Sequence, residues 1–554
     1  MVKLPEKKEK ILITAALPYA NGPLHLGHIR STYLPADICA RFNRLIGNEV
    51  LYICATDEHG TPILAAAEKE KKSAREFVDY YHEKDEREFK QLGFSMDIFH
   101  RTSSKENREL TQHFFERLNA NGYTYTKEVE QAYCEKCGRY LPDRFVVGTC
   151  AHCGSERQYS DYCDSCGKAL SSGEIQNPQC LVCGCAPTSR KSKHYFLALS
   201  KFSDRLKVWL QENKNLQPEV VNYLLNWIKE GLCDWDISRE MDWGVPIPGE
   251  KGMVFYVWFD APIGYVSSTA ALTREWEKWW KGDARIYHFI GKDIIYHHFL
   301  FWPSMLMGTE DNFRLPDAIP VRGYLNLEGR KFSKSKNWFV SIEDFLAEFD
   351  PDYLRYYETA VTPHSVEDAD FTWADFQHKI NDELVACIGN FIHRTLVLVQ
   401  KFNESKIPNA HLLDSGSKKL LDDITNRKER IRTLAENFKF KEAQEEILAL
   451  CAEFNRYLSE REPWREKDVE KRDACLYVCA RGITSVGILL SPFLPAASAR
   501  LFKLLRLDEK EIKWENVERE LLAPEKEIGE VKPLFEKITD EKIKSQKEKL
   551  GAKR

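Results

Sequence analysis

One segment near the amino terminus combines residue types that suit phosphate chemistry. Within residues 19–28, His25 and His28 would face the same side of a helix that begins there, and Gly27 lets a ligand approach the backbone closely. A helix N-terminus offers free N–H groups and about half a positive charge, so it binds phosphate. Taken alone, the histidine pair could equally start a helix or hold a metal.

A second segment, residues 331–336, places lysines and serines in a short loop far downstream. Such a loop is usually plain surface. Its lysines could neutralise the negative charge that builds up on a polyphosphate, provided that the fold brings the loop close to the histidines. The chemistry therefore depends on a contact between segments about three hundred residues apart in the chain.

A third pattern is formed by cysteines. Nine of the 16 cysteines lie between Cys134 and Cys185, mostly in CxxC pairs, which is typical of zinc sites and not of a secreted disulfide framework. Four pairs make two sites, paired in series or nested, and we favour nesting. The inner site would then use Cys150, Cys153, Cys163 and Cys166, and the outer site Cys134, Cys137, Cys180 and Cys183. Four thiolates leave no open position, which predicts structural zinc.

The elements that must position these residues alternate between strand and helix. Residues 10–16 and 49–55 are strand-like, and residues 28–45 and 62–90 are helix-like. This order predicts an α/β fold with a Rossmann-like, doubly wound parallel sheet, in which ligands bind at the carboxyl ends of the strands. The apolar run at residues 254–259 predicts a strand buried on both faces, and residues 285–290 predict another.

Changes in composition and periodicity divide the chain. We expect a first half of the α/β domain at residues 1–119 and an inserted connective domain with the CxxC pairs at 120–235. The second half would follow at 236–325, and the lysine–serine loop with a linking domain at 326–375. Apolar residues at helical spacing predict an all-α bundle with a basic tail at 376–554.

Composition excludes several classes of protein. The 554 residues include 80 Lys and Arg against 85 Asp and Glu, a net charge of −5, which excludes a uniformly basic nucleic-acid coat. No run approaches the roughly 18 uninterrupted apolar residues of a membrane span. The 66 aromatic residues (13 Trp, 23 Tyr, 30 Phe) exclude intrinsic disorder. Together with the metal-type cysteine spacing, this predicts a cytoplasmic protein without a membrane partner.

The histidine and lysine–serine segments together resemble the two signatures of the class I aminoacyl-tRNA synthetases. Within that class the chain is similar to the methionyl-tRNA synthetases along essentially its whole length. The resemblance is carried by residues 16–22, 57–62, 141–146, 235–239, 256–265 and 289–294. Phe332 stands where the family usually carries Met, so an apolar residue is kept in the loop.

This resemblance implies a ligase that activates L-methionine with ATP and Mg²⁺ and then charges tRNA(Met). The catalytic residues would be His25, His28, Lys331 and Lys334, and ATP would also contact Gly27, Asp293, Ser333 and Ser335. Asp57 would hold the substrate ammonium. The remaining methionine-pocket residues would be Leu17, Tyr19, Trp258, Ala261, Pro262, Tyr265, Ile294, His298 and Trp302.

In the bundle, the resemblance assigns Asn390, Arg394 and Trp464 to the anticodon of elongator and initiator tRNA(Met). Aromatic stacking and hydrogen bonds to base edges suit unpaired bases, although a Trp in the bundle core is the plainer interpretation of Trp464. No β-rich dimerisation module follows the bundle, so we expect a monomer. One or two zinc ions are expected, with two favoured.

Two alternatives remain open at this point. Another class I synthetase is one, but the leucine, isoleucine and valine enzymes carry a large editing insert, for which residues 120–235 leave little room, and a cysteine enzyme would place zinc in its amino-acid pocket. A non-catalytic RNA-binding protein with zinc knuckles is the other, and it would have lost His25 and His28 or the lysine–serine loop. An oxidoreductase is disfavoured because no GxGxxG follows the first strand.

Overall fold

A five-stranded parallel sheet lies at the centre of the amino-terminal part. The structure is a computed structural model that describes residues 8–141, 145–160, 163, 165–166, 175–333, 337–410 and 413–551. The strands are β1 (Lys10–Ala15), β2 (Glu49–Thr56), β3 (Ile98–Arg101), β4 (Arg285–Gly291) and β5 (Val321–Arg322), in the order β5-β4-β1-β2-β3. All four pairings are parallel, so the predicted doubly wound sheet is confirmed.

Helices pack on this sheet, whose central strands β1 and β4 are buried almost throughout. The helix after β1 is continuous from Leu26–His28 through a π-helical turn, Ile29–Tyr33, into Leu34–Leu45. Ser73 begins the next long helix with a capping box, since its side chain accepts the Glu76 N–H. The other helical elements are Thr61–Lys69, Ala74–Gln91, Lys105–Ala120, Val257–Asp260, Ile263–Leu272, Trp276–Trp280, Lys292–Ile294, His297–Phe301 and Trp302–Thr309.

The apolar run at residues 254–259 is divided, so the prediction of one strand was wrong. Only Met253–Phe255 is a strand, and it pairs antiparallel with Ser238–Glu240 outside the central sheet. Val257–Asp260 is a helical turn with Val257 and Phe259 buried. A short run that is buried on all sides has no polar face, so its periodicity does not distinguish a strand from a helix.

The inserted part is built on a long antiparallel ribbon. Thr124–Cys134 pairs with Thr188–Leu197, and Trp235–Asp236 and Arg139–Tyr140 extend the sheet on either side. A smaller sheet in the order Gln158–Tyr159, Val146–Cys150, Ile175–Cys180 carries further cysteines. The chain then returns to the central sheet through Leu199–Phe202, Ser203–Glu212 and Pro218–Glu230.

The carboxyl-terminal part begins with a small sheet, in which Leu325–Leu327 pairs antiparallel with Arg330–Lys331 and parallel with Ala369–Phe371. Helices follow, as predicted for the bundle. They are Ile342–Leu346, Pro351–Ala360, Trp373–His378, Lys379–Gly389, Asn390–Phe402, Ser415–Glu436, Phe440–Arg461, Val469–Leu490, Pro495–Leu504, Glu509–Glu511, Trp514–Asn516 and Asp540–Lys549.

Among the described residues, Val469–Leu490 is a helix long and apolar enough to cross a membrane by length and composition. Its most apolar stretch is 83% buried within the protein. A bundle that surrounds one helix on all sides makes that helix apolar all round, which explains the composition without a membrane.

Candidate active site

The strands β1, β2 and β4 end at one cavity of about 680 Å³. Residues that follow each strand line it, including Leu17 after β1, Asp57 after β2 and Asp293 after β4. In a parallel α/β sheet the carboxyl ends of the strands lie at one edge of the sheet, and the loops that follow them form a crevice in which ligands bind. The cavity therefore lies where the strand order predicts a ligand.

The two distant motif segments meet at this cavity. The His25 ring stacks on His28 with ring centroids 3.7 Å apart and on Phe332 at 4.6 Å, and His25, His28, Lys331 and Phe332 all line the cavity. The Leu26 N–H donates to the Val340 carbonyl across 3.3 Å, which ties the backbones together. Gly27 also lines the cavity.

The lysine–serine loop is described only in part. Ser333 forms a β-bridge with Trp338, with both backbone hydrogen bonds 2.9 Å long, and Ser333 is not among the residues that line the cavity. Lys334 and Ser335 lie outside the described residues.

Most residues predicted for a methionine pocket line the same cavity. They are Leu17, Tyr19, Asp57, Trp258, Ala261, Pro262, Tyr265, Ile294 and His298. Trp302 does not line the cavity. It is fully buried behind it, where its Nε1–H donates to His288 Nε2 across 3.2 Å.

Asp57 presents an acceptor that nothing in the described structure satisfies. The residue is buried, and its Oδ1 has no hydrogen-bond partner. Burial raises the pKa of this carboxyl well above its usual range, and the nearby Asp260 carboxylate raises it further. A buried, unsatisfied carboxylate is costly, so the site favours a cation that can donate hydrogen bonds.

The wall beside Asp57 is held by backbone contacts. Tyr19 Oη donates to the His59 carbonyl across 2.6 Å. Gly60 has φ +102°, and a Cβ there would lie 2.7 Å from Tyr19 Oη. Both the backbone angle and the lack of space therefore require glycine at this position. This packing fixes the Tyr19 ring against the cavity.

A network of neutral groups closes the apolar end of the cavity. His298 Nδ1 lies 3.2 Å from the Ile294 carbonyl, which can only accept, so Nδ1 carries the proton. His298 Nε2 therefore accepts the Tyr265 hydroxyl across 2.8 Å. Burial lowers the pKa of His298 to about 4, so the ring is uncharged at neutral pH. An uncharged, aromatic-rich end suits an uncharged, polarisable side chain.

The structure adds wall residues that the sequence reasoning missed. His297 stacks on Trp258 with centroids 3.7 Å apart, and burial lowers the pKa of His297 to about 3. The Arg239 guanidinium lies over the Tyr256 ring at 4.0 Å, and both residues line the cavity. Arg239 falls within residues 235–239, which carry the family resemblance, so the sequence could have indicated it as a wall residue. His297 follows from no spacing rule, because only a π-helical turn brings it to the wall.

Comparisons with known proteins agree with this geometry. Residues 11–396 match the family model described as tRNA synthetases class I (M), and residues 407–554 match the anticodon binding domain of methionyl tRNA ligase. A methionine–tRNA ligase from Methanobrevibacter smithii is 44% identical over 549 residues, covering 98% of this chain and 82% of the relative. The chain belongs to the methionyl-tRNA synthetase family. The resemblance inferred from the motifs is thereby confirmed.

Further relatives support the same assignment. The methionine–tRNA ligase from Methanocaldococcus jannaschii is 44% identical over 98% of this chain and 81% of its own length. A methionyl-tRNA synthetase structure from Mycobacterium tuberculosis, in complex with methionyl-adenylate, superposes with a TM-score of 0.80 at 24% identity, covering 95% of this chain and 99% of that one. At this identity the structural match shows the shared fold.

The cysteines of this synthetase gather in the nested arrangement. Cys134, Cys137, Cys180 and Cys183 form one group and Cys150, Cys153, Cys163 and Cys166 the other, with the sulfur atoms of each group within 4.8 Å of one another. Sγ–Sγ distances are 3.4 and 3.9 Å in the first group and 3.6 and 4.0 Å in the second. Four thiolates around a tetrahedral zinc would be about 3.8 Å apart, so both groups fit zinc.

The three residues predicted for the anticodon lie close together on the bundle. Asn390 and Arg394 are one turn apart on the helix Asn390–Phe402, and the Arg394 guanidinium lies over the Trp464 ring at 5.2 Å. Asn390 Nδ2 donates to Asn455 Oδ1 across 3.4 Å. All three are half-buried, and Trp464 also packs against the bundle core. The side chains of Asn390, Arg394 and Trp464 are therefore each held by a neighbouring side chain, while part of each remains accessible to solvent.

Proposed function

We propose that the chain is a methionine–tRNA ligase. It joins L-methionine to ATP, forming methionyl-adenylate and releasing pyrophosphate, and then transfers methionine to the 3′-terminal adenosine of tRNA(Met) with release of AMP. The observation that carries this proposal is that His25, His28 and Lys331 line the same cavity as the unsatisfied carboxylate of Asp57. Phosphate-binding and ammonium-binding groups therefore border one space.

In the first step, a carboxylate oxygen of methionine attacks the α-phosphorus of ATP while the bond to the β-phosphate breaks. The nucleophile is already an anion, so no general base is needed, and the protein must supply positioning and charge stabilisation. His25, His28 and Lys331, together with Lys334, neutralise charge on the phosphates. Mg²⁺, brought to the site with ATP, would add to this neutralisation. Gly27, Asp293, Ser333 and Ser335 contact the nucleotide.

Methionine is recognised at its two ends. Asp57 accepts hydrogen bonds from the ammonium group, which satisfies its free Oδ1. The thioether lies among aromatic rings near the Tyr265–His298 pair, where sulfur–aromatic contacts are favourable. The rest of the pocket is formed by Leu17, Tyr19, Trp258, Ala261, Pro262 and Ile294, and Trp302 supports it from behind through His288.

The remaining partners bind away from this cavity. The nested cysteine groups would each hold one structural zinc ion, and the two ions would order the inserted domain. Asn390, Arg394 and Trp464 contact the anticodon of initiator and elongator tRNA(Met). We infer that the domains follow the boundaries given above and that the protein acts as a cytoplasmic monomer.

Amino-acid-dependent exchange of pyrophosphate into ATP tests the function directly. We expect exchange with methionine and at least about 100-fold less with leucine, isoleucine, valine or cysteine, because the uncharged pocket must also match the thioether in shape. A preference for another of these amino acids would identify a different class I synthetase. No exchange with any amino acid would favour the non-catalytic RNA-binding alternative.

A further inference from the structure

A short stretch of backbone between the two motif segments forms part of the cavity wall. Tyr324, Leu325 and Asn326 line the cavity where the chain enters the hairpin that ends in Lys331. Within this hairpin Asn326 pairs with Lys331 and Leu327 with Arg330. The position of residues 323–326 therefore sets the position of Lys331 and Phe332.

Arg30 holds this stretch from one side. The residue lies two positions after His28, is fully buried, and donates from Nη1 to the carbonyls of Gly323 across 2.7 Å and Tyr324 across 3.0 Å. Its Nε–H donates to Thr362 Oγ1 across 3.0 Å. One rigid guanidinium therefore connects the histidine-bearing helix to the backbone that leads into the lysine–serine loop.

A second set of contacts holds the same stretch from the other side. Asp368 accepts the Tyr324 N–H across 2.7 Å and pairs with Lys292 across 2.6 Å, while Lys292 Nζ lies 4.8 Å from the centre of the Tyr324 ring. Lys292 directly precedes Asp293 on the cavity wall. A Cβ at Gly323 would lie 2.1 Å from the Glu367 carbonyl oxygen, so backbone packs on backbone here.

We propose that Arg30 and the Lys292–Asp368 pair are positioning residues for ATP, which fix the wall at residues 323–326 and, through the hairpin, the distance between Lys331 and the two histidines. None of the three is a predicted ligand-binding residue. The inference rests on the proposed function, because it concerns the adenylation step. In-line attack requires reacting atoms held at about 3–3.5 Å, and a 1 Å misplacement can cost about 100-fold in rate.

Arg30→Lys is the first test. Lysine keeps the charge but has a single nitrogen, so it cannot bond Thr362 and both carbonyls in the same geometry. In methionine-dependent pyrophosphate exchange we expect the KM for ATP to rise and kcat to fall, each by about 10-fold or more. Methionine affinity without ATP, measured by tryptophan fluorescence, should stay within about twofold because Asp57 and the Tyr265–His298 pair are untouched.

Asp368 offers a second test at a partly exposed side chain, which keeps the proposal testable should Arg30→Lys fail to fold. Asp368→Ala removes both the acceptor for the Tyr324 N–H and the partner of Lys292. Asp368→Asn keeps an oxygen acceptor and removes only the ion pair. In Asp368→Ala we expect the KM for ATP to rise as much as in Arg30→Lys. In Asp368→Asn we expect a smaller rise.

Arg44→Lys is the matched control. Arg44 lies on the continuation of the same helix, and its guanidinium also holds a carbonyl, that of Ser95, across 2.9 Å, together with Asp97. It should lower the melting temperature without changing the KM for ATP. Equal effects of the Arg30 and Arg44 variants, or a parallel loss of methionine and ATP affinity, would overturn the positioning role. Absent exchange in the wild-type protein would instead overturn the proposed function.

Discussion

At the scale of single residues, Asp57 is the group that we propose to hold the substrate ammonium. Its carboxylate is buried at the cavity wall with one oxygen unsatisfied, and burial raises its pKa. A bound ammonium group would reverse that shift, because an opposite charge within hydrogen-bond distance favours the ionised carboxylate. If Asp57 holds the ammonium group as proposed, substrate binding and ionisation of Asp57 are coupled.

Asp57→Asn should weaken methionine binding by about 30-fold or more, since breaking a buried charge pair costs about 2 kcal/mol or more. The KM for ATP should change little. The sharp control is the des-amino analogue of methionine, which lacks the ammonium group. Wild type and variant should bind it equally in a fluorescence titration, and a large difference would show that the variant disturbs the pocket as a whole.

His298 gives a pH-dependent prediction for stability. Its pKa falls from 6.5 to about 4 on burial, so between these values the unfolded chain binds more protons than the folded one. Stability from this residue is complete above pH 6.5 and declines as the pH falls toward 4, by up to about 1.4 kcal/mol per pH unit.

The measurement compares urea unfolding of wild type and His298→Gln from pH 5 to pH 7. We expect the variant, which has no titrating group there, to lose less stability on acidification. The difference between the two proteins isolates His298 from the buried carboxyls of Glu88 and Asp352, whose pKa values are raised to about 7 and about 6 and which act in the opposite direction. Identical slopes would contradict a neutral, buried His298.

At the scale of elements, the outer cysteine group packs directly on a helix that borders the cavity. Leu64 and Ala65 of Thr61–Lys69 lie against the cluster that contains Cys134 and Cys180. Arg139 Nη1 also pairs with Glu68 Oε1 of that helix across 3.1 Å. Thr61 and Pro62 line the cavity at the start of the same helix. Loss of the outer cysteine group should therefore disturb the position of Thr61–Lys69 and, with it, the wall of the cavity.

Cys134→Ser and Cys150→Ser separate the two groups. Each should reduce zinc, measured by elemental analysis, from about two ions per chain to one, because a structural site needs all four ligands. Only Cys134→Ser should weaken methionine binding several-fold, since among the described cysteines it is those of the outer group that share a hydrophobic cluster with Thr61–Lys69. Equal methionine affinity in both variants would show that the helix is held without the metal.

At the scale of the whole molecule, the sheet and the bundle share one hydrophobic core. A single cluster of buried residues runs from Ile11 in β1 to Ile543 near the carboxyl terminus. Arg355 of Pro351–Ala360 pairs with Asp37 of Leu34–Leu45 across 2.7 Å, and both side chains are buried. Such packing holds the bundle surface around Trp464 and the cavity as parts of one folded unit.

Trp464→Ala should therefore separate the two steps of the reaction. Stacking on a base contributes about 1–3 kcal/mol, so the KM for tRNA in aminoacylation should rise about 5- to 150-fold. Pyrophosphate exchange should be unchanged because Trp464 is not among the residues that line the cavity. Trp464→Phe keeps a stacking ring and should recover most of the loss. An equal decrease in both assays would indicate a core role for this Trp.

The sequence by itself determined the residue types of the site and the class of fold. Alternating strand-like and helix-like segments specify a parallel sheet, because burial on both faces makes each strand apolar, and the CxxC spacing specifies thiolate sites. Both patterns depend on residues that are close together in the sequence, so they can be recognised without knowing the tertiary structure. The family resemblance, carried by short segments of sequence, named most of the residues that line the cavity, from Leu17 to His298.

Only the tertiary structure decided which distant residues share a space. It brings the His25 ring onto Phe332, places Trp302 behind the wall instead of on it, and adds His297 and Arg239. It also folds Val257–Asp260 as a helical turn where the apolar pattern predicted a strand. Contacts between distant residues depend on how whole elements pack against one another. A fully buried segment has no polar face, so its sequence pattern does not show whether it is a strand or a helix.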